Sequence, residues 1–140
     1  LEAICSMDKE VPFENEWGFF YTFDVTFRCQ PLKRKIGEAP KIFHSSVMDI
    51  FDHGDEIAHP YLEIESNGGD ITIAVGDKSL TILNTLAATI VVDTQLGKAI
   101  QEGLNLFTRG DWPLLQPEWN QVKISGKFKE VRFWNRSVYL

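Results

Sequence analysis

The sequence contains no apolar run near the roughly twenty residues that a membrane-spanning helix needs, so no segment reads as a helical span. Positive charge is in the minority: 14 Lys and Arg stand against 20 Asp and Glu, for a net charge of -6. A nucleic-acid binder would normally show a basic patch. The one basic cluster, Lys33-Arg34-Lys35, is too short to carry much phosphate affinity. Cysteine is scarce. Cys5 and Cys29 allow one disulfide without demanding it, and neither stands in a metal-type spacing. Cys29 falls on the apolar face of an alternating run, so both are expected to be free and buried. No signal-peptide pattern and no internal repeat is present. The chain opens at Leu1 rather than Met, which leaves an upstream region open.

The motifs of catalysis are missing as well. HGDEIAH, His53 to His59, has Glu56 and His59 in a Glu-x-x-His spacing. A zincin needs His-Glu-x-x-His on a helix; here Asp55 stands where the first histidine belongs, and Gly54 and Pro60 oppose a helix. The segment reads as a solvated acidic loop. His44 beside Ser45 and Ser46 lacks the Gly-x-Ser-x-Gly elbow that activates a serine. Gly68-Gly69 reads as a hairpin turn, not a phosphate loop. Glu14 and Glu16 read as exposed carboxylates ahead of a strand. The expectation is a protein without enzymatic activity, cofactor or metal.

What is present is period-two alternation. From Phe19 to Cys29 every odd position is apolar: Phe19, Tyr21, Phe23, Val25, Phe27, Cys29. That pattern predicts one long strand with one buried or partner-facing side, ended by Pro31. LKRKIGEAPK then reads as a linker or long turn. Beyond it the runs are short and evenly spaced: KIFHSSV around Phe43; YLEIE with Leu62 and Ile64 inward; DITIAV with Ile71, Ile73 and Val75; SLTIL with Leu80 and Ile82. ATIVVDT, NQVKISG with Val122 and Ile124, and KEVRFW with Val131 and Phe133 follow. Turn signals separate them at Asn67–Asp70 and at Gly76-Asp77. About eight strands of this kind predict an antiparallel sandwich or barrel. Gln95 to Gly103 reads as a short helical turn.

TRGDWPLLQPEWNQVKISG, Thr108 to Gly126, stands apart from the rest. Pro113 and Pro117 each push the preceding residue towards extended backbone. The stretch therefore reads as a stiff excursion that sets up a strand, anchored by at least two buried side chains among Trp112, Leu114 and Leu115. A second reading makes Trp112, Trp119 and Trp134 a stacking platform for carbohydrate or a partner, since aromatic faces pack on apolar sugar faces.

Several of these segments, in their order, resemble the distal tail protein family of long-tailed bacteriophages. The resemblance rests on PYLEIESNGGDITIAV (Pro60 to Val75), GDKSLTI (Gly76 to Ile82), TIVVDT with Asp93, and GDWPLLQPEWNQVKISG (Gly110 to Gly126). FDVTFRCQPLK, Phe23 to Lys33, is similar to the run by which that family's first domain passes into its second. The match starts at about Phe20. One departure stands out: where the family has Pro-Gly-x-Asn, this chain has Pro117-Glu118-Trp119-Asn120.

The resemblance implies an all-β fold: a galectin-like antiparallel β-sandwich over residues 34–140, preceded in 1–33 by the end of an N-terminal ring-forming domain, most of which would lie upstream. It implies a structural virion component assembled in the host cytoplasm, a hexameric baseplate hub. Its partners would be the tail tube, the tail-tip protein and the adhesion device, with neither nucleic acid nor membrane among them. A galectin-like fold does not carry galectin function. The sugar-binding His-x-Asn-x-Arg and Trp-x-x-Glu strands are missing: His44 is followed by Ser-Ser-Val, and Trp119 by Asn-Gln-Val. Two other readings remain: a carbohydrate-binding module contacting the host cell wall, and an acidic inhibitor or immunity protein.

Overall fold

Side-chain alternation decides the architecture. In the computed structural model Leu62, Ile64, Ile71, Ile73, Leu80, Ile82, Ile90, Val92, Val122, Val131 and Phe133 are all fully buried, and Ile124 nearly so. Their even or odd neighbours face outward. Burying each such side chain is worth about 1.5–3 kcal/mol. A one-residue slip in any strand would turn its whole apolar set to solvent, so the pattern fixes register as well as layer.

The structure describes all residues except 8–13, 17, 19, 23 and 24. Among the described residues there are strands, turns and loops but no helix. The strands are β1 (Glu2–Met7), β2 (Glu14–Glu16), β3 (Phe20–Thr22), β4 (Phe27–Arg34), β5 (Lys41–Phe43), β6 (Val47–Asp52), β7 (Tyr61–Ser66) and β8 (Gly69–Val75). They continue with β9 (Lys78–Thr85), β10 (Thr89–Asp93), β11 (Lys98–Gln101), β12 (Leu104–Asn105), β13 (Thr108–Gly110), β14 (Glu118–Ser125), β15 (Phe128–Trp134) and β16 (Val138–Tyr139).

A six-stranded sheet in the order β12-β11-β10-β7-β15-β5 faces a five-stranded sheet in the order β13-β9-β8-β14-β6. Their inner faces share one apolar core, which is the antiparallel sandwich the alternation predicted and is consistent with a galectin-like fold. A separate three-stranded sheet, β1-β4-β16, lies at the end where the chain leaves β15, and β2 pairs with β3.

Several expectations change. KIFHSSV is not one strand: the chain turns at His44–Ser46, so β5 joins the six-stranded sheet and β6 the five-stranded one. Gly68-Gly69 is not a hairpin turn, because β7 and β8 lie in opposite sheets. The same pair of positive φ values, 95° and 86°, here carries the chain from one layer to the other. Gln95 to Gly103 forms no helical turn. Lys98–Gln101 is β11, drawn into extended form by its ladder with β10.

The N-terminal reading changes most. The expected strand from Phe19 to Cys29 falls partly outside the described residues, at 19, 23 and 24. Where it is described, β3 ends at Thr22 and β4 begins only at Phe27. Phe27 is 62% exposed, so it joins no buried face. Pro31 does not end the strand. Ala3 pairs with Lys33 and Cys5 with Cys29, so Gln30, Pro31 and Leu32 stand opposite Ile4 alone. Proline is tolerated in such a bulge because the extra residues leave the ladder there. The polar linker is correspondingly shorter, since Leu32–Arg34 belong to β4. Cys5 and Cys29 are neither free nor buried: they are opposite partners on β1 and β4, joined as a disulfide, and both are exposed.

Candidate functional site

The chain passes from the sandwich to the three-stranded sheet through one short segment, Asn135 to Ser137, and three carboxylates hold it. Glu38 accepts the backbone N–H of Asn135 at 3.1 Å and of Arg136 at 2.9 Å. Arg136 has a positive φ of 54° and donates both guanidinium nitrogens to Asp93, at 2.9 and 3.1 Å. Its guanidinium carbon lies 4.8 Å from the centre of the Tyr61 ring, within cation–π range. Tyr61 in turn meets Trp134 edge-on at 5.3 Å. Asp52, 1% exposed, accepts from the Ser137 hydroxyl and from the Asn135 amide at 3.0 Å. Lys41 Nζ donates to Asn135 Oδ1 at 3.0 Å and to the Phe51 carbonyl at 3.2 Å.

Titration follows from these contacts. Burial alone would raise Asp93, but hydrogen bonds from Arg136 and the backbone N–H groups of Leu96 and Gln95, with the Arg136 charge, outweigh it. The carboxyl is held below the ordinary aspartate value. Burial lowers Lys41, against the opposing pull of Glu38 and Asp52. Burial raises Tyr61, with the Glu63 charge acting the same way.

Past this clasp, β16 pairs with β4. Its Val138 carbonyl accepts from the N–H of Asp55 at 2.8 Å and of Glu56 at 3.3 Å. Gly54 is required here: an added Cβ would lie 2.6 Å from the Val138 oxygen. The loop His53–His59 is therefore only half solvated. His53, Asp55 and Glu56 are exposed, whereas Ala58 is fully buried and bonded to Leu115. Between this loop and the β1–β4 pair lies a cleft of about 660 Å³, lined among others by Ile4, Leu32, Ile57, Val138, Glu56 and His59. A shallower hollow of about 400 Å³ holds Tyr61, Trp134, Arg136 and Glu38.

The three tryptophans do not share a platform. Trp112 is half-buried against the core, its ring over Gly97. Trp119 is 70% exposed, on the outer face of the five-stranded sheet, where Phe51 meets it edge-on at 5.2 Å and His53 at 4.7 Å flanks Phe51. Trp134 points outward from the opposite sheet. The excursion is anchored differently from expectation. Of Trp112, Leu114 and Leu115 only Leu115 is fully buried, and Pro113 is the second buried anchor. Glu118 fills the glycine position of the family pattern with a φ of 73°; Asn120 secures the turn by accepting the Gln116 N–H at 2.9 Å and donating to its carbonyl at 2.7 Å.

The residues considered for catalysis stay apart. His44 Nδ1 lies 3.2 Å from the Lys129 carbonyl, and the Ser45 hydroxyl donates to the Val47 carbonyl at 2.9 Å. Glu14 and Glu16 fall on β2. Among the described residues no three His, Cys, Asp or Glu side chains gather as a metal site. Sequence reasoning missed Glu38, Asp52, Asn135 and Ser137 altogether. Asp52 and Ser137 are 85 positions apart, and no local pattern joins them.

No protein-family model matches the chain, and no curated protein matches it by sequence. Among solved structures it is similar to the Dit protein (gp 19.1) of phage SPP1, described as a paradigm of hub adsorption apparatus in Gram-positive infecting phages. The two superpose with a TM-score of 0.68 at 17% identity, over 94% of this chain and 58% of that one. The chain therefore shares the all-β fold of that protein, across little more than half of its length.

Proposed function

We propose that this protein is a structural hub component of a long-tailed phage tail, an adaptor rather than an enzyme. The observation that carries the reading is the fold likeness to a hub protein across 94% of the chain. In this reading residues 1–33 are the end of a ring-forming domain, and 34–140 form a galectin-like domain mounted on it. The full-length protein forms a homo-hexamer, joins the tail tube to the tail-tip protein and the adhesion device, and is assembled in the host cytoplasm before residing in the virion. The clasp supports this reading, because a mount that transmits force needs its two parts held at a fixed angle. Co-expression with the tail-tube and tail-tip proteins of the same phage tests it. Co-purification in stoichiometric amounts is expected, and failure to associate with either would overturn the adaptor role.

A second reading, a carbohydrate-binding module, is favoured by one observation: the open face of Trp119, 70% exposed on a sheet surface. Cell-wall glycan binding that is lost in Trp119→Ala would support it. Trp112 and Trp134, half-buried in separate places, would be contacts of other kinds.

A further inference from the structure

Two things join β1 to β4, an antiparallel ladder and a disulfide. Of its residues Glu2, Ile4, Cys5 and Ser6 are exposed and Ala3 is half-buried. Ile4 is 72% exposed, and Leu1 before it 66%. None of these five side chains belongs to the apolar core. Among the described residues the strand is an edge strand, paired with β4 alone. Its ladder is interrupted between Ala3 and Cys5, opposite the bulge that contains Pro31, and proline has no N–H to offer there. β4, by contrast, is also tied to β16 and, through Arg34 to Gln95 at 2.8 Å, to the sandwich. The Cys5–Cys29 bridge joins the two strands where they face each other, and both cysteines are exposed to solvent.

From this arrangement we infer that Cys5–Cys29 is a redox latch on the N-terminal strand and on the cleft that it walls. Oxidised, the bridge fixes β1 on β4, so that Ala3 and Ile4 close one side of the cleft opposite Ile57 and His59. A dithiol reductant reaches the exposed sulfurs. Its thiolate attacks one of them and forms a mixed disulfide, and the other leaves as a thiolate. The reductant's second thiol then displaces the protein sulfur, which leaves two protein thiols and one oxidised reductant. Without the bridge the covalent tie between β1 and β4 is gone, and an edge ladder interrupted between Ala3 and Cys5 frays. The sandwich keeps its packing, since its core is built from strands other than β1 among the described residues. The latch goes beyond the hub reading and does not depend on it.

The test uses the full chain with and without dithiothreitol, followed by alkylation and mass measurement. Two alkyl groups should be added only after reduction. Peptide hydrogen exchange should then show Glu2–Met7 exchanging on the order of tenfold faster, with β14 and β15 unchanged. Modification of His59 by diethyl pyrocarbonate should accelerate several-fold, with exposed His44 and His53 as internal controls whose rates hold. A Cys5→Ser, Cys29→Ser double variant should match the reduced protein and ignore the reductant. Unchanged exchange in β1 after full alkylation, an unchanged His59 rate, or equal acceleration throughout the sandwich would each overturn the latch. So would two thiols free before any reductant is added.

Discussion

Ala58 and Leu115 exchange two backbone hydrogen bonds, at 2.9 and 3.0 Å, and both side chains are fully buried. The pairing joins the histidine loop to the tryptophan-proline excursion, two segments that the sequence presents as unrelated. It places the anchor of both at one point of the core. Leu115→Ala should therefore destabilise by about 2–5 kcal/mol, the usual range for emptying a fully buried leucine site. His53 is exposed, and His53→Ala should shift stability by less than about 0.5 kcal/mol. Urea melts of both variants compare them, and a larger loss from His53 would show that the outer loop is the organised part.

Glu118 occupies left-handed backbone, φ 73°, which costs a residue with a Cβ about 1–2 kcal/mol. Glu118→Gly should be neutral or stabilising by up to about 1 kcal/mol, since relief of that strain is partly offset by glycine's freedom in the unfolded chain. Glu118→Val should cost about 1–3 kcal/mol, because a β-branched residue fits that region worst. Thermal unfolding of the pair decides; a more stable valine variant would refute the assignment of strain.

The Asp93–Arg136 pair predicts an acid limb in stability. Asp93 titrates below its ordinary value in the folded protein. Its contribution is fully present above the ordinary aspartate pKa and is lost as pH falls through the lower, folded one. Arg136→Gln should cost about 1.5–3 kcal/mol near neutrality and should flatten that limb. Stability measured from pH 6 to about pH 2 in both proteins gives the difference curve; parallel curves would exclude the pair as the cause.

Trp119 and Phe133 offer opposite expectations from two aromatic residues. Phe133 is fully buried, and Phe133→Ala should cost about 3–5 kcal/mol. Trp119, 70% exposed, has an edge contact with Phe51 to lose, so Trp119→Ala should cost no more than about 0.5–1.5 kcal/mol. A loss at Trp119 equal to that at Phe133 would mean that the ring is structural and unavailable to a partner.

The sandwich was legible because burial on one face forces alternation, as in Leu62 and Ile64 or Ile71 and Ile73. What alternation cannot say is which strand a run pairs with. Gly68-Gly69 has the same turn chemistry in a hairpin and in a crossing between sheets. KAIQ is too short to declare itself, and its ladder with β10 decides its form. Pro31 was misread because a bulge, visible only once β1 and β4 are aligned, excuses the proline. The cysteines were misjudged for the same reason, since their pairing is a fact of register. The clasp was illegible because Glu38, Asp52 and Asp93 converge on Asn135–Ser137 from distant strands, and hydrogen bonds between distant positions leave no period in a sequence.

Electron microscopy of phage particles labelled with an antibody raised against this chain tests the central claim most directly. As a hub component the protein should bind label at the distal end of the tail, one cluster per particle. Label spread along the tail or on the capsid, or particles free of label while the protein stays in the soluble fraction of the lysate, would contradict it.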